Sequence, residues 1–182
     1  MVLKMSSRLS KHGFLINREK KLEFSFDGKR LFGFEGDTLA AALLANDLTL
    51  VGRSFKYHRP RGIVASGVEE PNALVGLGKA RTFEPNQRAT TTELFQNLRA
   101  ISQNNWPSLS FDIGYINSLL SPFLSAGFYY KTFIHPRAAW KHIFEPLIRK
   151  SAGLGKPPRH ADSDRYEHFY CNVDVLIVGG GV

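Results

Sequence analysis

Residues 22–48 read LEFSFDGKRLFGFEGDTLAAALLANDL, and this stretch decides the fold. Leu22 to Phe26 and Arg30 to Phe34 each alternate apolar with polar or small residues, the period of a half-buried strand. Between them stands Asp27-Gly28, a pair suited to the positive φ angles of a two-residue hairpin turn. A β-hairpin is therefore expected. After Glu35-Gly36 the pattern changes to TLAAALLANDL, with Asp37 or Thr38 placed to cap a helix. Leu39, Ala42, Leu43 and Leu48 recur at helical spacing, so one face should pack on the hairpin, and the helix should end near Asn46-Asp47.

Beyond the helix runs a long loop with short apolar stretches, GRSFKYHRPRGIVASGVEEPNALVGL, from Gly52 to Leu77. Hairpin, helix and then such a loop is the order of a β-grasp domain, the architecture of plant-type ferredoxins, in which this loop holds an iron–sulfur cluster. A cluster of that type takes four thiolates. The loop has no cysteine, and the single Cys171 lies far downstream. The expectation is a clusterless domain.

Upstream, residues 1–21 form a basic arm with Lys4, Arg8, Lys11, Arg18, Lys20 and Lys21 nearly unopposed. A docked arm and a solvated tail are both open. Downstream, Ile113 to Tyr130 has apolar residues at helical spacing and is read as a helix interrupted near Pro122, with a membrane span the poorer reading. Lys150 to Arg159 is rich in Gly, Pro and charge, a linker. The chain closes on VDVLIVGGGV, Val173 to Val182, an apolar β-branched run entering three glycines. A buried strand leading into Gly179, Gly180 and Gly181 is how a dinucleotide-binding domain opens, since glycines let backbone N–H groups approach a pyrophosphate. The third fingerprint glycine, the helix and the ribose-binding acid are not in the sequence.

The 182 residues carry 24 Lys+Arg against 16 Asp+Glu, a formal net charge of +8, with 43% hydrophobic residues. That is a globular composition with a bias toward anionic partners. One cysteine excludes a disulfide framework and an all-cysteine metal site. The N-terminus lacks a continuous apolar core of signal-peptide length, so a cytoplasmic protein is expected. His135, His142, His160 and His168 follow no common zinc spacing, and no metal site is expected. Cys171 has no nucleophile motif around it and reads as a small hydrophobe. The aromatic run Phe128, Tyr129, Tyr130, Phe133, with Trp106 and Trp140, suits a core or an interface.

Arg53, Lys56, His58, Arg59 and Arg61 crowd one part of the loop. Arg forks match phosphate and carboxylate oxygens alike, so an anion or interface site is one reading. Pinning of the loop by Arg contacts to Glu69, Glu70 or backbone carbonyls is a second, and solvated charge a third. With Phe55 and Tyr57 interleaved, a basic module for nucleic acid or an acidic protein also stands, but no nucleic-acid motif is present and the charge is spread along the chain.

The blocks VGRSFKYHRPRGIVASGVEEPNALV, PNQRATTTEL, SQNNWPSLSFDIG, AGFYYKTFIHP, FEPLIRKSAGLG and CNVDVLIVGGG, in this order, resemble the N-terminal part of α subunits of heterotetrameric sarcosine oxidases. The resemblance runs from about Gly13 to Gly181. It implies an α+β chain: basic arm 1–21, clusterless ferredoxin-like β-grasp domain 22–84, helical and linker segment 85–168, and 169–182 as first strand and Gly-rich turn of a truncated Rossmann domain. The family continues past the glycines with a Pro-Ala-Gly type turn where this sequence has Val182, so a frameshifted, split or truncated frame is expected.

The resemblance also implies a function. The complex oxidises sarcosine to glycine and passes the one-carbon unit to tetrahydrofolate, with β, γ and δ subunits as partners. It implies NAD at Gly179, Gly180 and Gly181, FAD and FMN in the assembled complex, tetrahydrofolate in a later domain, and no iron–sulfur cluster. No catalytic residue is expected in these 182, which alone should be inert. Related amino-acid or opine dehydrogenases and hydrogen cyanide synthase, whose α subunits are similar, remain the alternative.

Overall fold

The computed structural model describes residues 7–122, 127, 135–151 and 161–178. Strand β1 (Asn17–Phe26) and β2 (Lys29–Glu35) form the expected antiparallel hairpin, with Phe24 opposite Leu31 and Phe26 opposite Lys29. Asp27 (φ 48°) and Gly28 (φ 78°) both take the left-handed conformation that the tight turn requires. The alternation resolves as read: Leu22, Phe24, Phe26 and Leu31 are buried.

Helix α1 (Leu39–Ala45) packs on this face. The Thr38 hydroxyl accepts from the Ala41 amide at 3.1 Å, an N-cap that meets one of the helix's orphan donors. At the other end the Asn46 carboxamide donates to the carbonyls of Ala42 and Phe32, both at 2.7 Å, tying the helix to β2. Leu39 and Leu43 are fully buried, worth about 1.5–3 kcal/mol each.

The sheet is completed by β5 (Leu74–Leu77), β6 (Glu84–Arg88) and β7 (Leu98–Ile101), in the order β2-β1-β7-β5-β6. A two-residue ladder, β3 (Gly52–Arg53) with β4 (Pro60–Arg61), stands apart from it. β7 lies parallel to β1, Phe24 against Leu98, and every other pair is antiparallel. The last strand thus enters beside the first, and the sheet is mixed, as in ferredoxin-like β-grasp domains. Asp27 locks this junction, its carboxylate accepting from the Ser102 amide and hydroxyl at 2.8 and 2.7 Å.

Helix and sheet meet most tightly at Gly33. A Cβ there would fall 2.4 Å from Leu94 Cδ2, 3.0 Å from Asp37 Oδ2 and 3.1 Å from the Ala42 Cβ. Gly33→Ala is expected to destabilise the fold by about 1–3 kcal/mol through overpacking. A urea midpoint within error of the unsubstituted chain would refute this.

Three expectations differ from what is seen. The sheet extends past residue 84, because β1 has two edges and β7 fills the second, with Leu98 and Ala100 inward. The helix expected from Ile113 is a 3-10 turn, Ile113–Tyr115, and one short turn of α-helix, Ile116–Leu119. Gly114, Asn117 and Ser118 are weak helix formers, and 123–126 and 128–134 lie outside the described residues. Residues 173–178 are not a strand: they are irregular and exposed. A strand exists only by pairing, and no described backbone runs beside them.

The basic arm also differs in extent. Arg18, Lys20 and Lys21 belong to β1, and Arg8 is docked on the domain in a bidentate contact with Asp37. Lys21 lies over the Phe32 ring at 3.9 Å and Arg8 over Phe34 at 5.1 Å, so arm cations cover the aromatic outer face of the hairpin.

Candidate functional site

The loop from Gly52 to Ala73 is built on local backbone bonds. Val51 N donates to Arg61 O at 3.0 Å, Ser54 N to Arg59 O at 2.9 Å and His58 N to Ser54 O at 2.9 Å, closing a tight tip with His58 at φ 52°. Gly62 passes so close to Thr49 that a Cβ would sit 2.8 Å from its carbonyl oxygen.

The cations of this loop divide by role. The Arg53 guanidinium donates to Leu109 O through Nε and Nη2 (3.1 and 2.8 Å) and to His58 O through Nη1 (3.1 Å). It binds the loop to the segment after β7. His58 Nδ1 lies 2.6 Å from Asp112 Oδ2, and the Asp112 side chain is wholly buried. The other Asp112 oxygen accepts from the amides of Trp106 and Gly114 at 3.0 and 3.2 Å. The His58 ring lies over Gly114, where a Cβ would come within 2.4 Å of it. Lys56 and Arg59 flank the Tyr57 ring, each 4.8 Å from its centroid. The Arg61 side chain is exposed.

Glu70 organises the rest. It is 1% exposed, yet its partners are amides and not arginines. Oε2 accepts from Val64 N and Ala65 N at 2.8 and 2.6 Å, and Oε1 from Asn72 N and Ala73 N at 2.8 and 3.2 Å. Burial pushes the carboxyl toward protonation, but the four amides outweigh it and hold its pKa below the ordinary 4.5. Pinning by arginine therefore occurs through carbonyls, at Arg53, and the acid pins the backbone independently.

Arg53 and Arg61 meet at a groove of about 290 Å³ between the small ladder and the sheet. Asn72, Asn86 and Gln103 contribute carboxamides and Phe55 an aromatic rim; among the described residues no carboxylate lines it. A second cavity, about 370 Å³, lies along β1 and β7 and is of mixed charge, with Glu23 paired to Arg30 at 2.8 Å.

Of the residues singled out in the sequence, Arg53 and Arg61 share the groove, His58 serves the Asp112 contact, and Lys56 and Arg59 surround Tyr57. Gly179, Gly180 and Gly181 lie outside the described residues. Cys171 is exposed rather than buried. Among the described residues no group of three His, Cys, Asp or Glu could hold a metal ion, and no helix is long and apolar enough to cross a membrane. Sequence reasoning missed Glu70 as a buried acid and Asp112 as a partner. Asp112 did carry a signal, being the one acidic residue between Glu93 and Glu145.

Comparison with known proteins adds the following. Residues 19–105 match a family described as a 2Fe-2S iron–sulfur cluster binding domain. That match overturns the expectation of a domain class without a cluster, which rested on the cysteine count and on the family resemblance. The matched segment contains no cysteine, so its residues do not fit thiolate ligation. The chain is 58% identical over 176 residues to sarcosine oxidase subunit alpha of Rhizobium meliloti (strain 1021), covering 97% of this chain and 18% of that protein. It is 32% identical to the protein of the same name from Corynebacterium sp. (strain U-96), covering 93% and 13%, and 44% identical to that from strain P-1, covering 91% and 12%. L-proline dehydrogenase from P. horikoshii superposes on 58% of this chain and 18% of its own, with a TM-score of 0.40 and 21% identity, too distant to carry an argument. Over more than nine-tenths of its own length, and less than a fifth of theirs, this chain is thus a relative of sarcosine oxidase α subunits.

Proposed function

We propose that this chain acts as part of the α subunit of a multi-subunit sarcosine oxidase. The 58% identity sustained over 97% of the chain carries the reading, because it extends far beyond the domain into the segment that follows it. In that assembly the N-methyl amine of sarcosine loses a hydride to give an imine. The two electrons pass to oxygen, glycine is released and the one-carbon unit goes to tetrahydrofolate. The contribution assigned to this chain is architectural: a mixed sheet, a loop locked by Glu70 and Asp112, and exposed apolar residues from Trp106 to Leu120 that suit contact with the rest of the complex. Gly179, Gly180 and Gly181 would open the dinucleotide-binding turn of the next domain.

The test is to purify the assembled enzyme through a tag on this chain from cells expressing its neighbouring genes. Co-purification of β, γ and δ type subunits is expected, with sarcosine-dependent oxygen uptake and less free formaldehyde when tetrahydrofolate is added. Turnover of opines or other secondary amino acids without sarcosine, cyanide formation from glycine, or a chain that purifies alone would each overturn the proposal.

A further inference from the structure

The groove between the small ladder and the sheet has a use that the oxidase reading does not supply, and the inference stands without that reading. Its lining brings guanidinium and carboxamide donors from three separate stretches of chain: Arg53 and Arg61 on the ladder, Asn72 after Glu70, and Gln103 after β7. Among the described residues no carboxylate lines the groove to neutralise them. Arg53 is held by its three carbonyl contacts, so its charge is fixed at the wall. Arg61, opposite Gly52 in the ladder, has no ion pair among the described residues and keeps its donor fork for another group. Even Asn104 is turned inward, donating to Arg53 O at 3.2 Å.

We propose that this groove binds a phosphoryl group, with Arg61 as its principal ligand. A carboxylate offers two oxygens in one plane, whereas donors converging from separate stretches suit the three terminal oxygens of a phosphoryl group. The volume of about 290 Å³ sits near the lower end for small-molecule sites, about 300 Å³. It admits free phosphate or the phosphate end of a small ester. The exposed ring of Phe55 at the rim offers a surface on which a base attached to that phosphate would stack. Free phosphate and a mononucleotide share the chemistry, and the experiment separates them.

The experiment is isothermal titration of the full chain at about 0.15 M salt, where attraction by loose surface charge is largely screened. Inorganic phosphate, AMP, adenosine and acetate are the probes. Saturable binding of phosphate is expected, with Arg61→Ala weakening it at least tenfold, Arg61→Lys intermediate because it loses the fork, and Arg59→Ala changing it less than twofold. Circular dichroism shows whether each variant keeps its fold; Arg61 is exposed, so it should. AMP binding tighter than phosphate identifies the nucleotide as the source, and equal binding identifies the bare phosphoryl group; both support the site. Acetate or adenosine binding as tightly as phosphate, equal losses in Arg61→Ala and Arg59→Ala, or no saturation by phosphate and AMP would overturn it.

Discussion

Glu70→Ala will cost roughly 2–4 kcal/mol, taking each of four orphaned amides at up to about 1 kcal/mol and less for that of Val64, whose residue is exposed and open to water. The amides are those of Val64, Ala65, Asn72 and Ala73, and a small domain has only about 5–15 kcal/mol in all. Glu70→Gln will be nearly as damaging. One side of a carboxamide is N–H₂, which would face two amide N–H groups where the carboxylate presents an oxygen. The pH dependence has a definite sign. The folded-state pKa lies below the ordinary 4.5, so stabilisation by the charge is fully present above pH 4.5 and is lost as pH falls through the lower folded value. Urea unfolding from pH 7 down to pH 2.5 should show stability dropping below 4.5 in the unsubstituted chain. Glu35 and Glu69 are held low as well, so the quantity that decides is the difference curve against Glu70→Gln. A difference that stays constant across that range would sink the account.

What the sequence disclosed follows how far each contact reaches along the chain. The hairpin and α1 were legible because their determinants are local: alternation in Leu22 to Phe26, Asp27-Gly28 at the turn, Thr38 three residues before the amide it caps. β7 was not, since four residues, Leu98–Ile101, give no usable period and the partner strand is far away in sequence. The cationic loop was visible as a cluster, but its division was not. Nothing local says that Arg53 turns to Leu109, that His58 turns to Asp112, or that Arg61 joins Arg53 at a groove with Asn72 and Gln103. Residues 173–178 show the converse error. Their apolar β-branched run expresses a demand for neighbours, and a strand does not form on demand alone.

Removing Arg8 will destabilise the fold by about 3–5 kcal/mol, the usual result of leaving one half of a buried ion pair unpaired. Arg8 sits in the basic arm, where the composition allowed a solvated tail. Its Nη1 and Nη2 reach the two oxygens of Asp37 at 2.9 and 2.6 Å, with the Asp37 side chain wholly buried. Asp37 is in turn fixed between β2 and α1, accepting from Phe34 N at 2.8 Å through Oδ2 while its carbonyl accepts from Leu94 N at 2.9 Å. In Arg8→Ala the carboxylate keeps the Phe34 amide but loses its counter-charge. The pair itself adds little net stability, since two charges leave water and Arg8 Nε is buried without a partner among the described residues. The double variant Arg8→Ala/Asp37→Asn should therefore recover most of what Arg8→Ala loses, a non-additivity of 2 kcal/mol or more that contacting residues can show. Tryptic cleavage after Arg8 gives an independent readout: slow in the unsubstituted chain, fast in Asp37→Asn, whose arm has lost its anchor. If cleavage after Arg8 is equally fast in both, the arm is undocked, and the ion pair cannot be what joins residues 7–16 to the domain.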